Sequence, residues 1–133
     1  MTSAIISPKR VLGSKAATDY SNRAGQKEQV VKIGIIYPQT ELGGDPAAVR
    51  EIGLATEETG YDHLLAYDHV LGSPHDREPK PSGPYTDKDP FHDPFVMFAY
   101  LAAITRRIEL VAGVLILPQR QTALVARQAA DLD

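Results

Sequence analysis

The chain has 133 residues, no cysteine and a formal net charge of -3 from 14 basic and 17 acidic side chains. This near balance gives no indication of a nucleic-acid partner, and without cysteine the chain has neither a disulfide framework nor a thiolate metal site. The longest apolar run, Leu110 to Leu117, is far short of the ~20 residues of a membrane span. We therefore expect a cytoplasmic protein with no membrane partner.

Residues 1–29 show no sustained hydrophobic periodicity and consist largely of small, polar and basic residues. Such a segment buries too little apolar surface to offset the entropy lost on ordering. We predict a flexible N-terminal extension over 1–29 and a folded domain over 30–133. The alternative is a basic arm that touches a partner.

The domain begins with a strand from Val30 to Tyr37, which Pro38 ends because proline cannot donate to a sheet. Asp45 and Pro46 then provide an N-cap and a first helical residue, and helical spacing of apolar residues continues to Gly60. The sequence therefore predicts a strand followed by a helix.

The stretch from Tyr61 to Val70 is predicted to contain a buried strand that ends in the main candidate site residues. Apolar residues run from Leu64 to Tyr67, as in a buried parallel strand, and the polar residues Asp68 and His69 follow directly. Folds of the α/β class keep their chemistry at this end of their strands. We expect both side chains to reach one pocket if the strand ends between them. His63, at the opposite end, is expected to be structural.

A long irregular segment then covers residues 70–92. It contains five of the ten prolines, which are Pro74, Pro79, Pro81, Pro84 and Pro90. Loops of this length inside compact domains are usually functional or disordered, and we predict a cover over the pocket. Tyr85 and His92 either line the substrate side of this cover or lie on the surface.

The rest of the chain continues the alternation. Asp93 and Pro94 begin an apolar helix reaching Ile108, a third strand covers Glu109 to Leu117, and a third helix covers Thr122 to Leu132. Alternation predicts a parallel sheet with helices outside it. Because three strands cannot close a barrel and the third would keep an open edge, we expect the N-terminal part of a larger fold.

Several segments resemble the luciferase-like monooxygenase family, particularly its coenzyme F420-dependent branch. They are the stretches VKIGIIYP at 31–38, GYDHLLAYDH at 60–69, FHDP at 91–94, TRRIELVAGVLILP at 105–118 and QRQTALVARQAADLD at 119–133. The resemblance covers about three quarters of the chain. It implies the N-terminal part of a (β/α)8 TIM barrel, with about three strand-helix units present.

The same resemblance implies an oxidoreductase that transfers a hydride between coenzyme F420 and a small organic substrate. The alternatives are an FMN-dependent monooxygenase on the same fold and a non-catalytic half-barrel fragment. Because family members commonly pair, a homodimer is a further hypothesis.

The resemblance also implies site residues. His69 would exchange the substrate proton, Asp68 would orient His69 or raise its pKa and contact the cofactor, and Gly113 and Val114 would back the deazaflavin ring. In the cofactor-bound whole barrel the Gly113-Val114 peptide would be cis, and without the rest of the barrel it could relax to trans. The alternatives are a solvated strand end for Asp68 and His69 and tight packing against a helix for Gly113. We expect no metal site, because the histidines lack paired ligand spacing.

Overall fold

A computed structural model describes residues 4–6 and 31–133 of the chain. The helices and strands are β1 (Ala4–Ile6), β2 (Gly34–Ile36), α1 (Pro46–Glu58), β3 (His63–Ala66), α2 (Pro94–Ile104), β4 (Glu109–Ala112), a short 3₁₀ helix (Leu117–Gln119) and α3 (Thr122–Leu132).

The strands form one sheet in the order β1-β4-β3-β2. β2, β3 and β4 are parallel, with Ile35 level with Leu64 and Leu64 level with Leu110. A helix follows each parallel strand, as the sequence predicts. The α/β class is thereby confirmed for the part of the chain that the structure describes.

β1 is the strand that the sequence analysis did not predict. The proposed extension over 1–29 lies outside the described residues except for Ala4–Ile6, which pair antiparallel with β4 so that Ile5 is level with Val111. This pairing covers the edge of β4 that we expected to be open. A three-residue strand shows no periodicity of its own, and its backbone pairing depends on a partner more than a hundred residues away.

The core lies on the side of the sheet that carries the helices. Leu64 and Leu110 from the strands pack there with Phe98 and Leu101 of α2, and all four are almost fully buried. The other side of the sheet has no helix from the described residues, and Ile36 remains 54% exposed there. The sheet therefore has one packed face and one accessible face.

The two aspartates predicted as N-caps perform that role. The Asp45 carboxylate accepts a hydrogen bond from the Ala47 backbone N-H at 2.9 Å, and the Asp93 carboxylate accepts one from Phe95 at 2.9 Å. Each is followed by a proline at the start of its helix. Both helix starts are confirmed.

α2 ends at Ile104, four residues before the predicted end. The Glu57 carboxylate accepts hydrogen bonds from the backbone N-H groups of Arg106 and Arg107 at 2.7 and 2.6 Å. Burial alone would raise the pKa of Glu57, but these backbone hydrogen bonds lower it below its ordinary value. Glu57 thus anchors the α2-β4 turn to α1.

β4 is also shorter than predicted and ends at Ala112. The Gly113 N-H still donates to the Ala66 carbonyl at 2.9 Å, but the Ile116 N-H donates to the Asp68 carboxylate at 3.0 Å. A side chain thus replaces the neighbouring strand as the backbone partner, which ends the ladder early.

Residues 70–92 contain neither helix nor strand, as predicted. Among the described helices, none has the length and apolar character needed to cross a membrane.

Candidate functional site

The site lies where the parallel strands end. β3 ends at Ala66, and Tyr67, Asp68 and His69 follow it. The buried Gln39 fixes this segment, because its amide donates to the Tyr67 carbonyl at 2.7 Å and accepts from the His92 backbone N-H at 2.8 Å. Gln39 therefore ties the end of β2 to both ends of the long loop. The sequence analysis did not identify this role, since nothing local distinguishes the residue from any other loop glutamine.

Asp68 is buried, and its side chain is only 1% exposed. It accepts hydrogen bonds from Arg120 Nε at 2.8 Å and Arg120 Nη2 at 2.6 Å. Arg120 Nη2 also donates to Asp93 at 2.7 Å, and its guanidinium lies 5.6 Å from the centre of the Phe95 ring. Asp68 is thus part of an ion-pair cluster that joins β3 to the starts of α2 and α3.

The ionisation of this cluster follows from its contacts. Burial alone would raise the pKa of Asp68, but hydrogen bonds from Arg120 and the Ile116 N-H outweigh it and lower that pKa below its ordinary value. The hydrogen bond to Asp68 raises the pKa of Arg120. Asp68 is therefore an ionised structural anchor, and Arg120, which the sequence analysis missed, is its partner.

His69 lies apart from this ion pair. Its side chain is partly buried, and its ring centre is 4.6 Å from that of Phe91 and 6.0 Å from that of Tyr85. Its Nε2 atom is buried and has no hydrogen-bond partner among the described residues. The described hydrogen bonds do not join Asp68 to His69, so the expected orienting contact between them is absent.

Gly113 and Val114 lie at the end of β4, beside the end of β3. A Cβ atom on Gly113 would lie 2.8 Å from Leu65 Cδ2 and 3.2 Å from the Tyr67 ring. The glycine is therefore packed tightly, but against Leu65 of β3 and Tyr67 just after it rather than against a helix. Val114 is 41% exposed, and the Gly113-Val114 peptide is trans, since the cis peptide among the described residues is Glu78-Pro79.

The other candidate histidine and tyrosine side chains lie in three separate places. Tyr85 packs against Phe91 with ring centres 5.0 Å apart, so it belongs to the cluster around His69. His92 packs against Tyr37 at 6.0 Å, and its Nε2 and the Tyr37 hydroxyl are buried without a described partner. Burial, followed by the charge of Asp45, raises the pKa of Tyr37. His63 lies over Gly34 at the other end of the sheet, where we expected a structural residue.

A cavity of about 550 Å³ adjoins His69, and residues of the long loop form the rest of its lining. Its walls include Leu71, Arg77, Lys80 and Tyr85. Within the described ranges, no three histidine, aspartate or glutamate side chains are grouped as metal ligands would be. The site thus combines an accessible pocket with an imidazole whose Nε2 has no hydrogen-bond partner within residues 31–133.

A parallel sheet with polar side chains just beyond its strand ends defines the chain as an α/β protein of the kind that binds ligands at that edge. Comparison with known families then identifies the family within this class. The sequence model of the luciferase-like monooxygenase family matches residues 23–133, so the chain belongs to that family. The members of this family are generally oxidoreductases and monooxygenases. The predicted family is confirmed, and its F420-dependent branch stays a prediction.

Curated relatives include uncharacterized proteins of Mycobacterium bovis and of two strains of Mycobacterium tuberculosis. Each is 36% identical over 83 residues, which are 59% of this chain and 29% of the relative. The match therefore spans less than a third of the length of these relatives. No solved structure matches the chain.

Proposed function

We propose that the protein is a cytoplasmic oxidoreductase that transfers a hydride between coenzyme F420 and an organic substrate. In the complete protein the sheet would form part of a (β/α)8 barrel. Two features support a larger fold: the relatives are much longer than the matched segment, and the accessible sheet face carries exposed apolar residues such as Ile36 and Tyr67.

The observation that carries the proposal is the buried Nε2 of His69, which has no hydrogen-bond partner in the described part of the chain, on a side chain that lines a cavity at the strand ends. Buried polar atoms are nearly always hydrogen-bonded, so one without a protein partner indicates a missing ligand or water. Imidazole exchanges protons near neutral pH. His69 therefore has the location and chemistry of a group that exchanges a proton with a bound substrate.

The described residues fit the ring end of the cofactor. Leu65, Tyr67 and Gly113 lie together on the accessible sheet face, and the exposed Val114 follows them. Together they offer an apolar surface beside His69 on which a flat ring can rest. When bound, coenzyme F420 supplies a carbon that accepts or gives a hydride.

The protein's own contribution would be proton transfer and exclusion of water. When the substrate is an alcohol, His69 Nε2 takes the hydroxyl proton while the hydride leaves the carbon, and in the reverse direction it returns that proton. Phe91 and Tyr85 hold the ring in place. The loop over 70–92 forms the other wall of the cavity and limits the access of water.

The second candidate on the same fold is an FMN-dependent monooxygenase, because the apolar surface described above suits either flavin or deazaflavin. Titration of the full-length protein with each cofactor, followed by cofactor fluorescence, tests the proposal. We expect saturable binding of F420 and at least tenfold weaker binding of FMN, about 1.4 kcal/mol. Tighter binding of FMN favours the monooxygenase. Binding of neither favours the non-catalytic fragment.

We also propose that two copies of the protein pair through α2. The eleven residues of this helix include no charged residue, and its exposed face consists of Val96, Ala99, Tyr100 and Ala103. A helix that is apolar all round is normally buried, and a face without charges is compatible with a second copy of itself. Sedimentation velocity should show a dimer that Tyr100→Glu dissociates. Ala126→Glu, on the exposed side of α3, is the control.

A further inference from the structure

The cavity beside His69 has a charge pattern that the proposed function does not use. The loop that forms most of its wall is held closed near its ends, where the Asp87 N-H donates to the Ser73 carbonyl at 3.0 Å and the Asp87 carboxylate accepts from the His75 N-H at 2.9 Å. Gly72 allows this closure, because a Cβ there would lie 2.5 Å from the Asp87 backbone nitrogen. The residues between these points form a compact loop of the type that often carries function.

Two cations, Arg77 and Lys80, belong to the lining of the cavity, and no carboxylate does. Neither cation forms an ion pair with any residue over 31–133. Of the acids of this loop, Asp76 and Glu78 flank Arg77 in the chain but do not line the cavity, Asp87 binds His75, and Asp89 accepts from the Thr86 N-H at 2.6 Å. The lining of the cavity therefore includes two positive side chains and no negative one, although the chain as a whole is negative.

Neutral hydrogen-bonding groups complete the lining. Ser73, Ser82 and Tyr85 supply hydroxyl groups, and His69 lies on the same wall. Arginine presents a fork of N-H donors that matches the paired oxygens of a carboxylate or phosphate, and lysine adds a point charge. The two cations thus offer an anion-binding group within the same cavity as the imidazole.

We propose that the cavity binds an organic substrate through a carboxylate or phosphate group, which Arg77 and Lys80 hold while the reacting carbon lies near His69. The assignment of a reaction to this ligand rests on the proposed function. The binding of the anion does not, because it needs only residues of the described chain. The substrate class is therefore an organic anion with an oxidisable or reducible carbon.

The test uses benzoate and phenyl phosphate as anionic probes and benzamide as their neutral analogue, titrated into the full chain without cofactor. Binding is followed by NMR of the histidine ring protons, since His69 lines the cavity. We expect both anions, or one of them, to shift the His69 signals with at least about tenfold higher affinity than benzamide. A preference for benzoate or for phenyl phosphate tells carboxylate from phosphate. Equal affinity for the anions and benzamide overturns the proposal.

Variants identify the residues responsible. The double variant R77Q/K80Q should weaken binding of the preferred anion by about tenfold, since two charge-assisted contacts are lost, and leave benzamide binding unchanged. The matched control is Lys88→Gln, which removes an exposed lysine of the same loop that does not line the cavity. An equal loss in the control would show a nonspecific effect of charge and overturn the proposal.

Failure of the two proposals can be told apart. Anion binding that depends on Arg77 and Lys80, in a protein that binds neither F420 nor FMN, supports the anion site and contradicts the proposed function. Binding of F420 without any preference for the anions over benzamide supports the proposed function and contradicts the anion site.

Discussion

Asp68 and Arg120 form a bidentate ion pair across 52 residues of chain, with Nε donating to Oδ2 at 2.8 Å and Nη2 donating to Oδ1 at 2.6 Å. The two side chains are 1% and 11% exposed. Burying two charges is favourable only when each has a partner of good geometry, so this pair makes the end of β3 depend on the start of α3. It also explains why the described hydrogen bonds of Asp68 go to Arg120 and Ile116 and not to His69.

Replacing one partner of this pair should therefore lower the stability of the fold. We expect Asp68→Asn to lower the free energy of unfolding by about 3 kcal/mol, because it leaves the Arg120 charge with only Asp93 as its partner. The matched control is Asp131→Asn, which removes an exposed ion pair with Arg127 and should cost about 0.5 kcal/mol or less. Urea unfolding measures both. Equal losses would mean that the buried pair has no special role.

The same pair predicts a dependence of stability on pH. The pKa of Asp68 is lower in the folded protein than the value of about 3.9 for an unfolded aspartate, so the unfolded state binds more protons around that pH. The contribution of Asp68 to stability is fully present above the unfolded pKa and is lost as the pH falls through the folded pKa. Urea unfolding at a series of pH values should show a steeper acid loss for the parent protein than for Asp68→Asn. Parallel curves would contradict this.

Gly113 should be sensitive to added volume. We expect Gly113→Ala to cost about 1 kcal/mol, because the Leu65 methyl group can move aside, and Gly113→Val to cost about 2 to 3 kcal/mol because the Tyr67 ring is also close. Gly83→Ala, where a Cβ meets no atom within 4 Å, is the control. Thermal unfolding gives the comparison. If Leu65→Ala does not reduce the cost of Gly113→Val in a double-mutant cycle, packing is not the cause.

His69 should affect turnover rather than cofactor binding. In the full-length enzyme with F420, His69→Gln should slow turnover by ~10²-fold and leave cofactor affinity nearly unchanged, as expected for a proton-transferring group. His63→Gln, which removes an imidazole at the opposite end of the sheet, serves as the control. A comparable loss of cofactor affinity and turnover in His69→Gln would assign His69 a structural or cofactor-contacting role.

Removal of β1 should cause the protein to self-associate through the exposed edge of β4. Deleting residues 1–6 removes the strand that pairs with Leu110, Val111 and Ala112, and an unpaired edge favours association. Sedimentation velocity should then show species larger than those of the parent protein. Deleting residues 1–3 keeps β1 and is the control. An unchanged size distribution after the longer deletion would show that β1 does not protect this edge.

The sequence by itself determined the features that depend on neighbouring residues. The order of strands and helices from β2 to α3, the two Asp-Pro helix starts and the irregular loop over 70–92 were predicted, because caps, proline positions and hydrophobic periods involve only residues close together in the chain. The family was also readable, since its motifs occur in order along the chain. His69 was proposed as a site residue from the same kind of signal, as a polar residue directly after an apolar run, and its role stays a prediction.

Only the tertiary structure decided which distant groups meet. The Asp68-Arg120 pair, the Glu57 contact to the α2-β4 turn and the pairing of Ala4–Ile6 with β4 join segments from 49 to more than 100 residues apart. Local patterns carry no information about such partners, because the partners depend on strand register and on where each helix returns to the sheet. Arg120 looked like an ordinary basic loop residue, and Asp68 looked like a partner for His69. The fold brought Asp68 and Arg120 together and left the Nε2 of His69 without a described protein partner.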